Sequence, residues 1–116
     1  MIYTRESSLV NVIMKTLGQH GAVFRTNAGT VRLPNGKIFH GLPKGFSDIL
    51  FIGKDGIACF IETKVEPNKP TPEQLAFIEK MRGLGCRAGV AYSLVEAVHI
   101  CRLKIWKPPQ KYEEQL

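Results

Sequence analysis

Residues 45–64 read GFSDILFIGKDGIACFIETK. Two apolar runs, residues 49–52 and 57–61, flank Gly53, Lys54, Asp55 and Gly56. An Asp-Gly turn between two runs rich in Ile and Phe is the local signature of a β-hairpin, so this stretch predicts two antiparallel strands. Asp48 stands at the start of the first strand, and Glu62, Thr63 and Lys64 end the second. Side chains alternate across a strand, which puts Glu62 and Lys64 on one face, about 6–7 Å apart. The turn brings Asp48 back beside them. Charges at the ends of apolar strands are costly to bury unless something pairs with them, so two carboxylates and an ammonium converging here suggest a metal site.

Upstream of the hairpin, Thr4 is placed to cap a helix whose Val10, Ile13, Met14 and Leu17 fall at the i, i+3, i+4, i+7 spacing of one buried face, with Gly18 and Gly21 ending it. One turn back along that face lies Glu6. Its carboxylate either complements the positive helix N-terminus or stands beside the proposed metal site. Residues 22–26 (AVFRT) read as a strand. Residues 27–44 then form a long segment with Pro34, Asn35, Gly36, Gly41 and Pro43, in which 31–33 and 37–39 are able to pair as a small ribbon across the Pro-Asn-Gly turn. Its Arg32, Lys37, His40 and Lys44, with Arg25 just before it, suit either phosphate contacts or a solvated hairpin.

Downstream, residues 65–70 are rich in breakers, and Thr71, Pro72, Glu73 and Gln74 have the pattern of a helix start: Thr at the cap, Pro at the first helical position and Gln three residues after the cap. Leu75, Ile78 and Met81 or Arg82 are the expected inner face, and Gly83 and Gly85 stop the helix. Residues 87–92 (RAGVAY) predict another strand. Ser93 and Glu96 form a second capping box, ahead of a helix that includes Val98, Cys101 and Leu103. The order helix, strand, hairpin, helix, strand, helix predicts an α/β sandwich with a central mixed sheet.

At 116 residues, with 44% hydrophobic residues, the chain is expected to form one folded domain. The formal charge of +6 is compatible with a polyanionic partner, although charge by itself is a weak argument. Cys59, Cys86 and Cys101 are odd in number, lie in apolar contexts and lack Cys-x-x-Cys spacing, the pattern of core thiols in a reducing compartment. His20, His40 and His99 share no metal-ligand spacing; only His40 is placed to meet nucleic acid. No apolar run approaches the roughly 18 residues of a membrane span, and no secretory leader is visible, so a cytoplasmic protein with no membrane partner is expected.

The arrangement of Asp48, about a dozen residues, then Glu62-Thr63-Lys64 resembles the PD-(D/E)xK nuclease superfamily. It is closer still to the virus-type replication-repair nuclease (VRR-NUC) branch, through Glu6, Asn27-Ala28-Gly29, Gly45-Phe46-Ser47-Asp48, Glu62-Thr63-Lys64 and Pro72-Glu73-Gln74. The likeness runs from Glu6 to about Ala97. Ser47 stands where the superfamily's name has Pro, a position at which this branch varies. The resemblance implies a restriction-endonuclease-like αβββαβα core over residues 1–104, a tail over 105–116, and a metal-dependent DNA endonuclease. Asp48 and Glu62, with the backbone carbonyl of Thr63, would hold the ion; all-oxygen ligation favours Mg²⁺ or Mn²⁺. Lys64 would sit near the attacking water or the scissile phosphate, Gln74 on the rim, and Glu6 beside the metal. Stand-alone members of the branch, in bacteria and phages, imply branched DNA such as four-way junctions as substrate and a C2 homodimer to place two symmetric cuts. Flaps, nicks, single strands, partner-directed targeting and a non-catalytic binding module are the alternatives.

Overall fold

Seven segments follow the order that the hydrophobic patterning predicts. In a computed structural model that describes residues 3–26 and 30–103, the main elements are α1 (Glu6–Leu17), β1 (Gly21–Arg25), β4 (Ile49–Gly53), β5 (Ala58–Thr63), α2 (Pro72–Gly83), β6 (Arg87–Ala91) and α3 (Leu94–Ile100). Between β1 and β4 lies a separate ribbon of β2 (Thr30–Arg32) and β3 (Ile38–His40), as the Pro-Asn-Gly turn predicts. The Asn27-Ala28-Gly29 motif and the tail over 105–116 lie outside the described residues.

The main sheet has the order β1-β4-β5-β6. β1, β4 and β5 are antiparallel neighbours, whereas β6 runs parallel to β5. A parallel neighbour needs a crossover connection, and α2 supplies it. The outcome is an α/β sandwich of αβββαβα order. Helices α1 and α3 cover one face, where Leu9, Val10, Ile13 and Leu17 pack with Ile49, Phe51, Cys59, Ile61 and Ala97. Each fully buried aliphatic side chain contributes about 1.5–3 kcal/mol. Helix α2 covers the other face, where Ile78 meets Phe60 and Ala88 and the rings of Phe46, Phe60 and Phe77 pack edge to face or tilted, 4.5–5.7 Å apart. Among the described residues no helix is long and apolar enough to cross a membrane.

Four local expectations need correction. Arg5, not Thr4, is the cap of α1, and its side chain makes no capping hydrogen bond. Leu9 is fully buried, whereas Met14 is only half-buried at the edge of the stripe. In α2, Leu75 is exposed and the inner face is instead Gln74, Phe77, Ile78 and Met81. Those positions are i, i+3, i+4 and i+7, so the stripe is helical but begins one residue earlier, on a polar side chain. Helix α3 stops at Ile100: Cys101 is its cap and Arg102 takes the left-handed conformation (φ 54°), which turns Leu103 back onto the core. The capping boxes fare better. Thr71 and Gln74 form both reciprocal bonds, and Ser93 Oγ accepts from the Glu96 amide. The carboxylate of Glu96, however, accepts from the Tyr92 amide and the Ser93 hydroxyl.

Cys59 and Cys101 are buried, as expected of core thiols, with their sulfurs 2.8 Å apart in a thiol hydrogen bond between β5 and the end of α3. The hydrogen bond with Cys101, and then burial, push the Cys59 thiol far up from its usual pKa.

Candidate metal centre

The polar ends of four elements meet at one end of the sheet. β4 begins and β5 ends there, and the pairing Ile49 with Ile61 carries one step further to set Asp48 opposite Glu62. Directly opposed residues in an antiparallel pair share a face. From one helical layer, α1 contributes Glu6 from its first turn, in the stripe Glu6, Leu9, Val10, Ile13; from the other, α2 contributes Gln74. Each of these helices has an apolar stripe that continues N-terminally onto one polar residue, and that residue overhangs the end of the sheet. Glu6, Asp48 and Glu62 each offer an oxygen, and these atoms lie within 4.8 Å of one another. That spacing is comparable to the separation of ligand oxygens around a hard cation held at 2.0–2.6 Å.

Two of the three carboxylates are held by specific partners. Asp48 Oδ2 accepts two hydrogen bonds from Thr63, one from its amide at 2.9 Å and one from its hydroxyl at 2.7 Å. Glu62 Oε1 accepts from Gln74 Nε2 at 2.8 Å. The amide of Gln74 cannot flip without cost, because its Oε1 accepts from the Thr71 amide at 2.8 Å as the other half of the capping box. Gln74 therefore serves the helix cap and the site simultaneously, a point at which the sequence leaves two roles open. Lys64 Nζ lies 3.9 Å from Glu62 Oε1, with only 13% of its side chain exposed.

The second oxygen of Glu62 is the exception. Glu62 is 1% exposed, and its Oε2 is buried with no hydrogen-bond partner among the described residues. An unsatisfied buried acceptor costs about 1–3 kcal/mol, and more when charged. Burial, followed by the negative charge of Asp48, pushes the Glu62 carboxyl up to about 8, even though the Lys64 ammonium opposes the shift. An acid stored in a protonated form beside two further carboxylates is the electrostatic state that a divalent cation relieves. The donor set, three carboxylates, thus fits a hard cation on both chemistry and burial.

The other anticipated residues lie at the end of β1, on the ribbon and on the return to β4. Arg25 is exposed at the end of β1; Thr26, the next residue, donates its amide to Asp48 O at 2.8 Å and its hydroxyl to Ser47 O. Arg32 and Lys37 are exposed on the ribbon, His40 belongs to β3, and exposed Lys44 lies 3.8 Å from Glu73. The buried Ser47, whose hydroxyl also lacks a partner among the described residues, and the hydroxyl of Thr63 have no role assigned by sequence reasoning. A Thr hydroxyl between a Glu and a Lys at the end of an apolar strand was the available signal for the second. A cavity of about 600 Å³ lies at the opposite, hairpin-turn end of the sheet, lined by His20, Phe51, Asp55 and Arg87 among others, and contains none of the clustered carboxylates.

No protein-family profile matches the chain, and no curated protein matches it in sequence. A solved structure described as a VRR_NUC domain superposes on it with a TM-score of 0.64 and 23% identity, covering 88% of this chain and 99% of the other. The chain therefore has the fold of a VRR_NUC domain, the restriction-endonuclease-like architecture of a mixed sheet flanked by helices.

Proposed function

We propose that the chain is a metal-dependent endonuclease that hydrolyses DNA phosphodiesters, with branched DNA such as a four-way junction as its substrate. The observation that carries this is the orphaned Oε2 of Glu62 among Glu6, Asp48 and Glu62, with Lys64 alongside. The likeness of fold to a VRR_NUC domain supports it.

Asp48 and Glu62, with the Thr63 carbonyl, would hold Mg²⁺ or Mn²⁺, and Glu6 would bind directly or through water. A cation bound there lowers the pKa of a water and neutralises charge on the phosphoryl group. Thr63 fixes Asp48 through two hydrogen bonds, and Gln74 fixes Glu62 Oε1, so the remaining oxygens stay aimed into the site without reorganisation. The Lys64 ammonium, held beside Glu62, stabilises negative charge that develops on the attacked phosphate. A homodimer would present two such sites for paired cuts in the two strands of a junction, in the cytoplasm of a bacterial or phage-infected cell.

Cleavage of a labelled panel comprising four-way junction, flap, linear duplex and single strand, with Mg²⁺ or Mn²⁺, tests the proposal. Wild-type protein cuts the junction at symmetric positions, and Lys64→Ala loses about 10²–10³-fold in rate while still binding metal. DNA binding without cleavage by either metal would reject the catalytic role in favour of a binding module.

A further inference from the structure

The β2–β3 ribbon forms a sheet of its own, separate from the main sheet. Among the described residues, β2 and β3 pair with each other but pack against no other helix or strand. Leu33 and Ile38 are 38% and 53% exposed. A lone two-stranded ribbon is marginal in water, and apolar side chains displayed on it signal a partner.

Both roots of the ribbon are fixed, one on the backbone beside Asp48 and the other on α2 and β5. Thr26 bonds to the backbone of Ser47 and Asp48. On the return side, Gly45 has φ +93° and lies so close to α2 that a Cβ there would approach Glu73 O to 2.6 Å, while the next residue, Phe46, packs its ring on Phe60 and Phe77. The ribbon is thus an arm whose base is in register with a carboxylate of the cluster.

The chemistry of the arm selects its partner. Residues 27–47 contain no Asp or Glu, but do contain Arg32, Lys37, His40 and Lys44. Lys44 is near Glu73, whereas Arg32 and Lys37 form no ion pair among the described residues. Arg32 pairs with Ile38, and the Leu33 amide bonds to Lys37 O, continuing the register. Paired residues share a face and successive pairs alternate, so one face of the tip has Arg32 with Ile38 and the other has Lys37 with Leu33. A cation and an apolar group on each face of the tip suit an element that lies between two walls of phosphates with bases at its floor. A two-stranded ribbon fits the roughly 12 Å major groove, and apolar side chains of such elements contact or wedge between bases, at least cost where stacking is already broken.

We propose that the β2–β3 ribbon is a DNA-engaging arm that enters the substrate beside the branch point. Arg32 and Lys37 bind phosphates on either side, and Leu33 and Ile38 lie against bases exposed at the branch, so selection of branched DNA resides in the arm and cutting resides in the carboxylate cluster. This rests on the nuclease function proposed above. The test is the affinity of wild type, Arg32→Ala/Lys37→Ala and Leu33→Ser/Ile38→Ser for a four-way junction and a linear duplex, by fluorescence anisotropy over a salt series without Mg²⁺ or Mn²⁺. Junction cleavage with Mn²⁺ and sedimentation velocity accompany it, and circular dichroism checks that the body of each variant is folded. The charge variant is expected to weaken binding to both DNAs and to lower the salt slope by about 2. The apolar variant is expected to keep its duplex affinity and lose about tenfold or more of its junction preference. Wild-type cutting with both variants binding and cutting like wild type would overturn the arm alone. An apolar variant that changes from dimer to monomer with DNA preference intact would make the arm a contact between copies, and overturn it too. Junction-selective binding that depends on the arm, in a wild-type protein that never cuts, would support the arm and reject the nuclease.

Discussion

Replacing Glu62 by Gln should make the metal-free protein more stable while removing its capacity for metal. In the fold the Glu62 carboxyl is pushed up to about 8 by burial and by Asp48, from an ordinary value of 4.5. Well below pH 4.5 the group is protonated in both the folded and the unfolded chain, and its ionisation makes no difference to stability. Between 4.5 and 8 the fold retains a proton that the unfolded chain releases, so stability falls as pH rises, by up to about 1.4 kcal/mol per unit. Over the whole window of 8 − 4.5 units the upper limit is roughly 5 kcal/mol, levelling off above pH 8. In the Glu62→Gln variant the new amide would keep the bond from Gln74 Nε2 through its own carbonyl oxygen and would have no charge to desolvate. The assay is urea denaturation of wild type and Glu62→Gln in EDTA at pH 5, 6, 7 and 8, repeated at pH 8 with Mn²⁺. The two proteins should be close at pH 5 and diverge with rising pH until the variant is more stable by a few kcal/mol; Mn²⁺ should then stabilise wild type and leave the variant unchanged. Parallel pH profiles in EDTA would refute the reasoning, because they would mean that Glu62 ionises in the fold as freely as in water.

Gln74→Ala should weaken Mn²⁺ binding measured by isothermal titration, by about 10–100-fold as is usual when an outer partner of a metal ligand is lost, and destabilise the apo-protein by about 1–3 kcal/mol through the lost hydrogen bonds; unchanged Mn²⁺ affinity would limit Gln74 to the helix cap. Thr63→Val keeps the amide bond to Asp48 but removes the 2.7 Å hydroxyl bond, and should cost about 1.5–3 kcal/mol of stability at pH 7, read from a denaturant midpoint; a loss below about 0.5 kcal/mol would argue that Asp48 does not depend on that hydroxyl. Gly45→Ala should be among the most damaging small substitutions, since it places a Cβ 2.6 Å from Glu73 O in the left-handed region; a melting temperature within about 2 °C of wild type would show that the chain re-routes there freely.

Period-two and period-3.6 patterns are local properties of the chain, and they made most of the fold legible. The Asp-Gly turn set the register of β4 and β5, and with it the opposition of Asp48 and Glu62. The Thr71 and Gln74 capping box located α2. Prediction failed where distance in sequence is spanned by packing. Leu75 looks like a core residue in a helical wheel of α2, yet α2 lies across β5 and β6 with Gln74, Phe77, Ile78 and Met81 inward, a choice made by the sheet beneath it. Helix α3 ends at Ile100 although its apolar pattern continues, because Cys101 and Leu103 serve the core from a turned chain.

For the candidate site, the sequence by itself determined which chemistry-bearing residues exist and which two, Glu62 and Lys64, share a strand face. Alternation along a strand requires nothing beyond the backbone. Only the tertiary structure decided that Glu6 and Gln74, from helices on opposite layers, meet Asp48 and Glu62 at one end of the sheet, and that Glu62 is left with one oxygen bonded and one without a partner. Burial and the field of neighbouring charges depend on atoms brought together from 68 positions of sequence, Glu6 to Gln74, and no local pattern encodes them.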